Sequence, residues 1–237
     1  MSRRDLAAPR SAAFAVLVAA STWQACSKEA PSLPPNEAVP AALDPTDLLL
    51  VVDGVSIRWS DVAPQVAWLD TLAPEYSLRK KIQKVLSDHT IWVQFARRDF
   101  PEQRRQQFEL AQTLRAACGN VEELRKNAEG RPMHQSRLSV GNVGLPVAAF
   151  LFDPSRVGAV SDPIEVPAGY LLVGCLDLTR TQVPMEDTCE CVQVGFVTHN
   201  APQWREWESA TQSRIADRVT FVHPDYRLAM PPWLNLP

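Results

Sequence analysis

From Leu48 onward the chain breaks into short apolar runs and periodic stretches separated by turn signals. Leu48–Val52 is apolar and rich in branched residues, Asp53-Gly54 interrupts it and Val55–Arg58 follows, which predicts a strand and a tight turn. Ser60 and Asp61 stand where a helix N-cap belongs, ahead of Val62, Val66, Trp68 and Leu69. A second cap is expected at Ser77. From there Leu78, Ile82, Val85, His89, Trp92, Val93 and Ala96 recur at steps of three and four, with Arg79, Lys80, Lys81 and Lys84 between them, predicting an amphipathic helix to about Arg98.

Pro101 opens another helical stretch through Phe108, Ala111, Leu114 and Arg115, which Cys118-Gly119-Asn120 stops; Val121 to Ala128 predicts one more short helix. Gly130 to Gly144 has Gly and Pro but little period and is expected to be a loop. Beyond it lie the apolar Val147–Phe152, a turn at Asp153-Pro154, and a strand at Gly169–Cys175. A strand at Val192–Val197, a helix from about Gln203 to Asp217 and a strand at Val219–Val222 complete the pattern. Gly158 and Gly169 are expected at turns that need positive φ. The predicted fold class is α+β.

The N-terminus adds an address. Arg3, Arg4 and Arg10 precede the apolar run Ser11–Ala20, and small and polar residues then lead to Cys26, the order of a secretory signal peptide. At roughly half the 20 apolar residues of a membrane span, the run is too short to cross a bilayer. Cys26 is the expected lipid-attachment site. Only Ala25 of Trp23-Gln24-Ala25 fits a bacterial lipobox, so secretion with an earlier cut near Ala20 is the alternative. Ser27–Pro45 is polar and rich in Pro and Ala, as an extended spacer is. The expected organisation is a signal peptide at 1–25, a tether at 26–46, and then segments 47–100, 101–182 and 183–237.

Loss of residues 1–25 removes three Arg and one Asp and moves the net charge from −3 to −5, which argues against a nucleic-acid partner. Cys118, Cys175, Cys189 and Cys191 are even in number, and an exported chain with four cysteines is expected to form one or two disulfides. Cys189-Glu190-Cys191 with His199 could suggest zinc, but C-x-C lacks the usual two-residue spacing, and no metal or other cofactor is expected. In a strand, Cys189, Cys191, Gln193 and Gly195 would share a face, where one or both cysteines could meet Cys175 or Cys118. No Ser sits in a Gly-x-Ser-x-Gly elbow with His134, His199 or His223 to support a hydrolase. Trp204 and Trp207 would share one face of the tail helix.

Two segments resemble the parvulin-type peptidyl-prolyl isomerases of bacterial envelopes, the class that includes SurA-like and PrsA-like foldases. Val51–Val62 (VVDGVSIRWSDV) is similar to the strand-turn-helix opening of their N-terminal chaperone part, with Leu78–Arg98 as its long helix. Ala148–Val173 is similar to the last helix, Gly-x-Val-Ser-Asp-Pro turn and final strand of a parvulin domain, carried by Phe150, Gly158, Val160, Ser161, Pro163, Gly169 and Tyr170. Gln112–Ala128 would supply the family's two preceding helices. The resemblance covers roughly half of the chain after the signal and leaves the tail unexplained. It implies a helical SurA-like N-terminal part with a short strand hairpin, followed by a truncated parvulin-like α/β unit at 101–182.

The activity implied is rotation about X-Pro bonds, whose barrier is about 20 kcal/mol because the amide has partial double-bond character. Such a site needs an apolar cup and hydrogen-bonding side chains rather than a nucleophile. The family places two facing histidines under the reacting bond. Here Leu171 occupies the second place, and His89 is the candidate for the first, although helical spacing accounts for its stretch. Pro146 stands where the family has an aromatic floor. Phe150, Phe152 and Leu171 are the candidate substrate-binding residues, with core packing as their alternative role. The expected partners are unfolded or proline-containing exported polypeptides, with a membrane reached through Cys26. The expected function is chaperone-like handling of those clients, and the alternative is a non-catalytic scaffold that keeps the fold for packing alone.

Overall fold

The computed structural model describes residues 43–128 and 131–237. The expected signal peptide, the tether up to residue 42 and the lipid site at Cys26 lie outside those residues. The described chain is α+β, with two antiparallel sheets and seven α-helices. No helix among the described residues is long and apolar enough to cross a membrane.

β1 (Leu48–Val52) and β2 (Val55–Arg58) form the expected hairpin. Asp53 and Gly54 both have positive φ, 46° and 76°, the backbone that a two-residue turn between twisted strands requires. The Asp53 carboxylate then accepts from Arg218 and Arg98, both at 2.9 Å, which holds it below the usual carboxylate range. Ser60 and Asp61 do not cap the first helix as expected. They form a 3₁₀ turn in which the Asp61 carboxylate reaches back to the Arg58 N–H, and α1 (Ala63–Leu72) starts after it with Pro64 in its first turn.

Ser77 does cap α2 (Leu78–Val85), its hydroxyl accepting from the Lys80 N–H at 3.3 Å. A single π-helical turn, Leu86–Thr90, joins α2 to α3 (Ile91–Asp99). The helices bury Ile82, Val85, Leu86, Ile91 and Phe95 against Leu50 and Ile57 of the hairpin. After α4 (Pro101–Ala116), Asn120 caps α5 (Val121–Asn127) by accepting from the Glu123 N–H at 2.9 Å.

The stretch Gly130–Gly144, expected as a loop, instead contains β3 (Met133–Ser139), paired residue for residue with β6 (Thr188–Val197). Cross-strand pairing overrides its weak local pattern, because an edge strand none of whose residues is fully buried needs no apolar alternation. α6 (Leu145–Leu151), β4 (Ile164–Val166) and β5 (Gly169–Thr179) complete a second sheet of order β3-β6-β5-β4. Alternation decides its two faces. Leu172, Val192 and Val194 pack against Ala111, Leu114 and Leu124 of α4 and α5, whereas Leu171, Val173, Cys189 and Cys191 face α6.

Residues 183–237 divide between the two sheets. β6 is central to the second sheet, while β7 (Val219–Val222) crosses back to pair with β1, giving the first sheet the order β2-β1-β7. Between them runs α7 (Ala201–Ile215), opened by an Asn200–Gln203 capping box two residues earlier than its apolar pattern suggests. Ile215 joins the hairpin core, and Trp204 packs with Trp92.

The expectation of disulfides is not met. Cys118, Cys175, Cys189 and Cys191 are free thiols. The strand alternation does gather three of them: Cys175 is paired in register with Cys191, and past an irregularity in β5 its sulfur lies 3.2 Å from that of Cys189. The hydrogen bond that Cys189 donates there raises its own titration and lowers that of Cys175. Cys118 lies on the opposite face with α4 and α5.

Candidate functional site

α6 is a helix of only seven residues, so it covers part of its sheet face and leaves the rest to be faced by α1, α3 and α7. A cleft of about 240 Å³ opens there. Trp68 and Leu72 of α1 line it from one side, Trp92 of α3 and Trp204 of α7 from another, Val147 from α6 and Leu171 from the sheet. The hairpin turn Pro167-Ala168 between β4 and β5 forms part of its rim.

The aromatic wall is braced from outside the cleft. The rings of Trp92 and Trp233 stack with centroids 5.6 Å apart, and Trp204 meets Trp207 at 4.5 Å, as their spacing on one helix face predicts. Two of these indoles also have a partner for the N–H: Trp92 donates to the Ser87 carbonyl at 2.7 Å and the bracing Trp207 to Asp99 at 3.1 Å. Rings held in this way present apolar surface with little rotamer entropy left to lose on binding.

Two polar side chains are set into the apolar lining, His89 from the π turn and Gln193 from β6, each only 8% exposed. Gln193 donates to the Cys191 sulfur at 3.6 Å, a weak acceptor. Burial holds the His89 imidazole down at about 4, so it is neutral at pH 7 and has one nitrogen to donate and one to accept. The sign for stability follows from an unfolded value of 6.5. Above that pH the group costs nothing. As the pH falls from 6.5 towards 4, the unfolded chain takes up a proton that the folded chain refuses, and stability is lost. Urea unfolding at pH 7 and pH 4.5 should show a loss about 2 to 3 kcal/mol smaller in His89→Gln than in the unmodified protein; equal losses would remove His89 from the acid response.

A buried Arg network supports the rim. Arg104 of α4, 3% exposed, donates to the Pro167 carbonyl and to the Glu165 carboxylate, both at 2.8 Å, and to the Val166 carbonyl at 3.2 Å. Arg97 forks onto the same carboxylate. Although burial raises the Glu165 carboxyl most, hydrogen bonds from Arg97 and Arg104 outweigh it and leave the group below its ordinary value.

Among the residues that the sequence singles out, His89 and Leu171 come together in this cleft. Phe150 and Phe152 do not line it: Phe152 is buried behind α6, and Phe150 lies beneath the Arg156 guanidinium at 5.7 Å. His89 sits on a helical turn, not on a strand; the residues paired with Leu171 are Gly195 of β6 and Ile164 of β4. Pro146 also lines the cleft. Of the groups proposed for zinc, Cys189 and Cys191 are buried in the sheet, and the His199 ring lies against Phe100 at 4.3 Å. Among the described residues no group of three or more His, Cys, Asp or Glu side chains is arranged to hold a metal ion.

Arg104 and Glu208 carry no sequence signal, since each is one charged residue among several on its helix. Gln193 shares its face with Cys189 and Cys191 by alternation, but nothing in that pattern marks it as part of a site. No protein-family model, curated protein or solved structure matches the chain.

Proposed function

We propose that the protein is a cell-envelope folding factor of the parvulin type, exported and tethered through Cys26, that acts mainly as a chaperone holding apolar segments of other exported chains. The observation that carries the reading is the cleft itself, an apolar and aromatic recess with braced walls and two neutral hydrogen-bonding side chains in its lining. Such a lining suits an extended polypeptide, whose side chains seek apolar contact and whose amides need partners once water is displaced. Leu171 in the place of a family histidine, flanked across the sheet by Gly195 and Ile164 with no facing histidine, favours holding over isomerisation.

The purified protein should delay aggregation of a chemically unfolded client at near-equimolar ratio, while X-Pro rotation in a short peptide stays at its uncatalysed rate. Leu171→Trp, which fills the cleft, should reduce the protection at least several-fold with the melting temperature held within a few degrees. No protection by the unmodified protein would sink the chaperone reading, and measurable acceleration of X-Pro rotation would restore the enzyme.

A further inference from the structure

Among the described residues, one charge in the cleft has no ion-pair partner. Glu208 of α7 lies one helical turn from Trp204, and both line the recess. Asp88, the other carboxylate of the lining, is paired with Lys84 at 2.6 Å, whereas Glu208 forms no ion pair among the described residues and burial alone pushes its carboxyl up. A half-buried carboxylate beside indole rings, in a recess where His89 and Gln193 are uncharged and Lys84 and Asp88 neutralise each other, complements a cation on a mostly apolar ligand.

We propose that the cleft selects extended peptide segments in which an apolar side chain lies next to a lysine or arginine. The apolar side chain enters between Trp68, Trp92 and Leu171, the neighbouring amide meets His89 and Gln193, and the basic head group pairs with Glu208. This inference rests on the cleft being the client site and adds the charge of the segment it takes. An acidic neighbour is disfavoured by the same carboxylate, which gives discrimination through repulsion as well as attraction.

Three fluorescent peptides that differ at one position, Phe-Leu-Lys, Phe-Leu-Gln and Phe-Leu-Glu between Gly-Ser flanks, separate the possibilities by anisotropy at low salt. The lysine peptide should bind about tenfold more tightly than the glutamate peptide, with glutamine between them, and the spread should shrink as salt is raised. Glu208→Gln should bring the lysine peptide to the affinity of the glutamine peptide and leave the glutamine peptide unchanged. Equal binding of all three, or a lysine preference that survives Glu208→Gln, overturns the charge assignment while the cleft reading stands, provided Leu171→Trp still weakens every peptide. If no peptide binds, both fall.

Discussion

Gly169→Ala should leave little folded protein at 37 °C. Gly169 enters β5 at φ 148°, a backbone conformation that side chains with a Cβ rarely adopt. A Cβ there would lie 2.2 Å from the carbonyl oxygen of Phe196 and 3.0 Å from the Cα of Val197, both backbone atoms of the neighbouring strand β6. No rotamer change relieves such a contact, so β5 and β6 must separate at their pairing of Gly169 with Val197. Backbone strain and overpacking together cost on the order of 4 kcal/mol, a large share of the 5 to 15 kcal/mol by which folded domains are typically stable. Circular dichroism melting reads the effect directly, and a change of less than about 3 °C would show that the turn tolerates a side chain.

Arg104→Met should be nearly as damaging, by about 3 to 5 kcal/mol, because it leaves the Glu165 carboxylate short of one of its two guanidinium partners in a buried setting. Three backbone acceptors around the β4–β5 turn, at Pro167, Val166 and Gly169, lose their donor at the same time. The double change Arg104→Met with Glu165→Gln should recover part of the loss, since the stranded charge is then gone and the half-exposed Arg97 can turn to water. A double variant no more stable than Arg104→Met alone would place the damage in the backbone contacts instead. Either result is read from urea unfolding midpoints.

Local signals were the legible part of the fold. The Asp53-Gly54 turn, the Ser77 cap and the three-and-four spacing along α2 and α3 each act within a few residues and appear where the pattern predicts them, and Asn120, read as a helix stop, also caps the helix that follows. β3 was illegible because its partner, β6, lies some fifty residues away and its outer edge is unpaired, so Met133–Ser139 carries neither alternation nor a branched apolar run. The cysteine face could be read from alternation, but the approach of Cys189 to Cys175 depends on an irregularity in β5 that no residue type announces.

The cleft was legible only in its apolar members. Trp92 and His89 fall on the buried stripe of one helix, yet which buried residues stay uncovered depends on how short α6 is and where α7 returns. Glu208 and Gln193 are single polar residues, 15 positions apart in the chain, and only the return of α7 to the recess gives them a common lining. Arg104 stands next to Arg105 in the sequence; one is buried at the rim network and the other is exposed on Glu102, a difference of one position on a helix.

The closure of the first sheet by β7 has a consequence for the order of events in biogenesis. β1 is among the first described segments to emerge in synthesis, and its outer hydrogen-bonding edge waits for a strand that emerges near the last of them, with Asp53 and its partner Arg218 separated by 165 positions. Joining ends so distant comes late, since the loop entropy is spent before the contacts repay it. Until then the recess lacks Trp204 and Glu208 of α7, and under the proposed function a nascent copy that has not yet placed α7 does not hold clients.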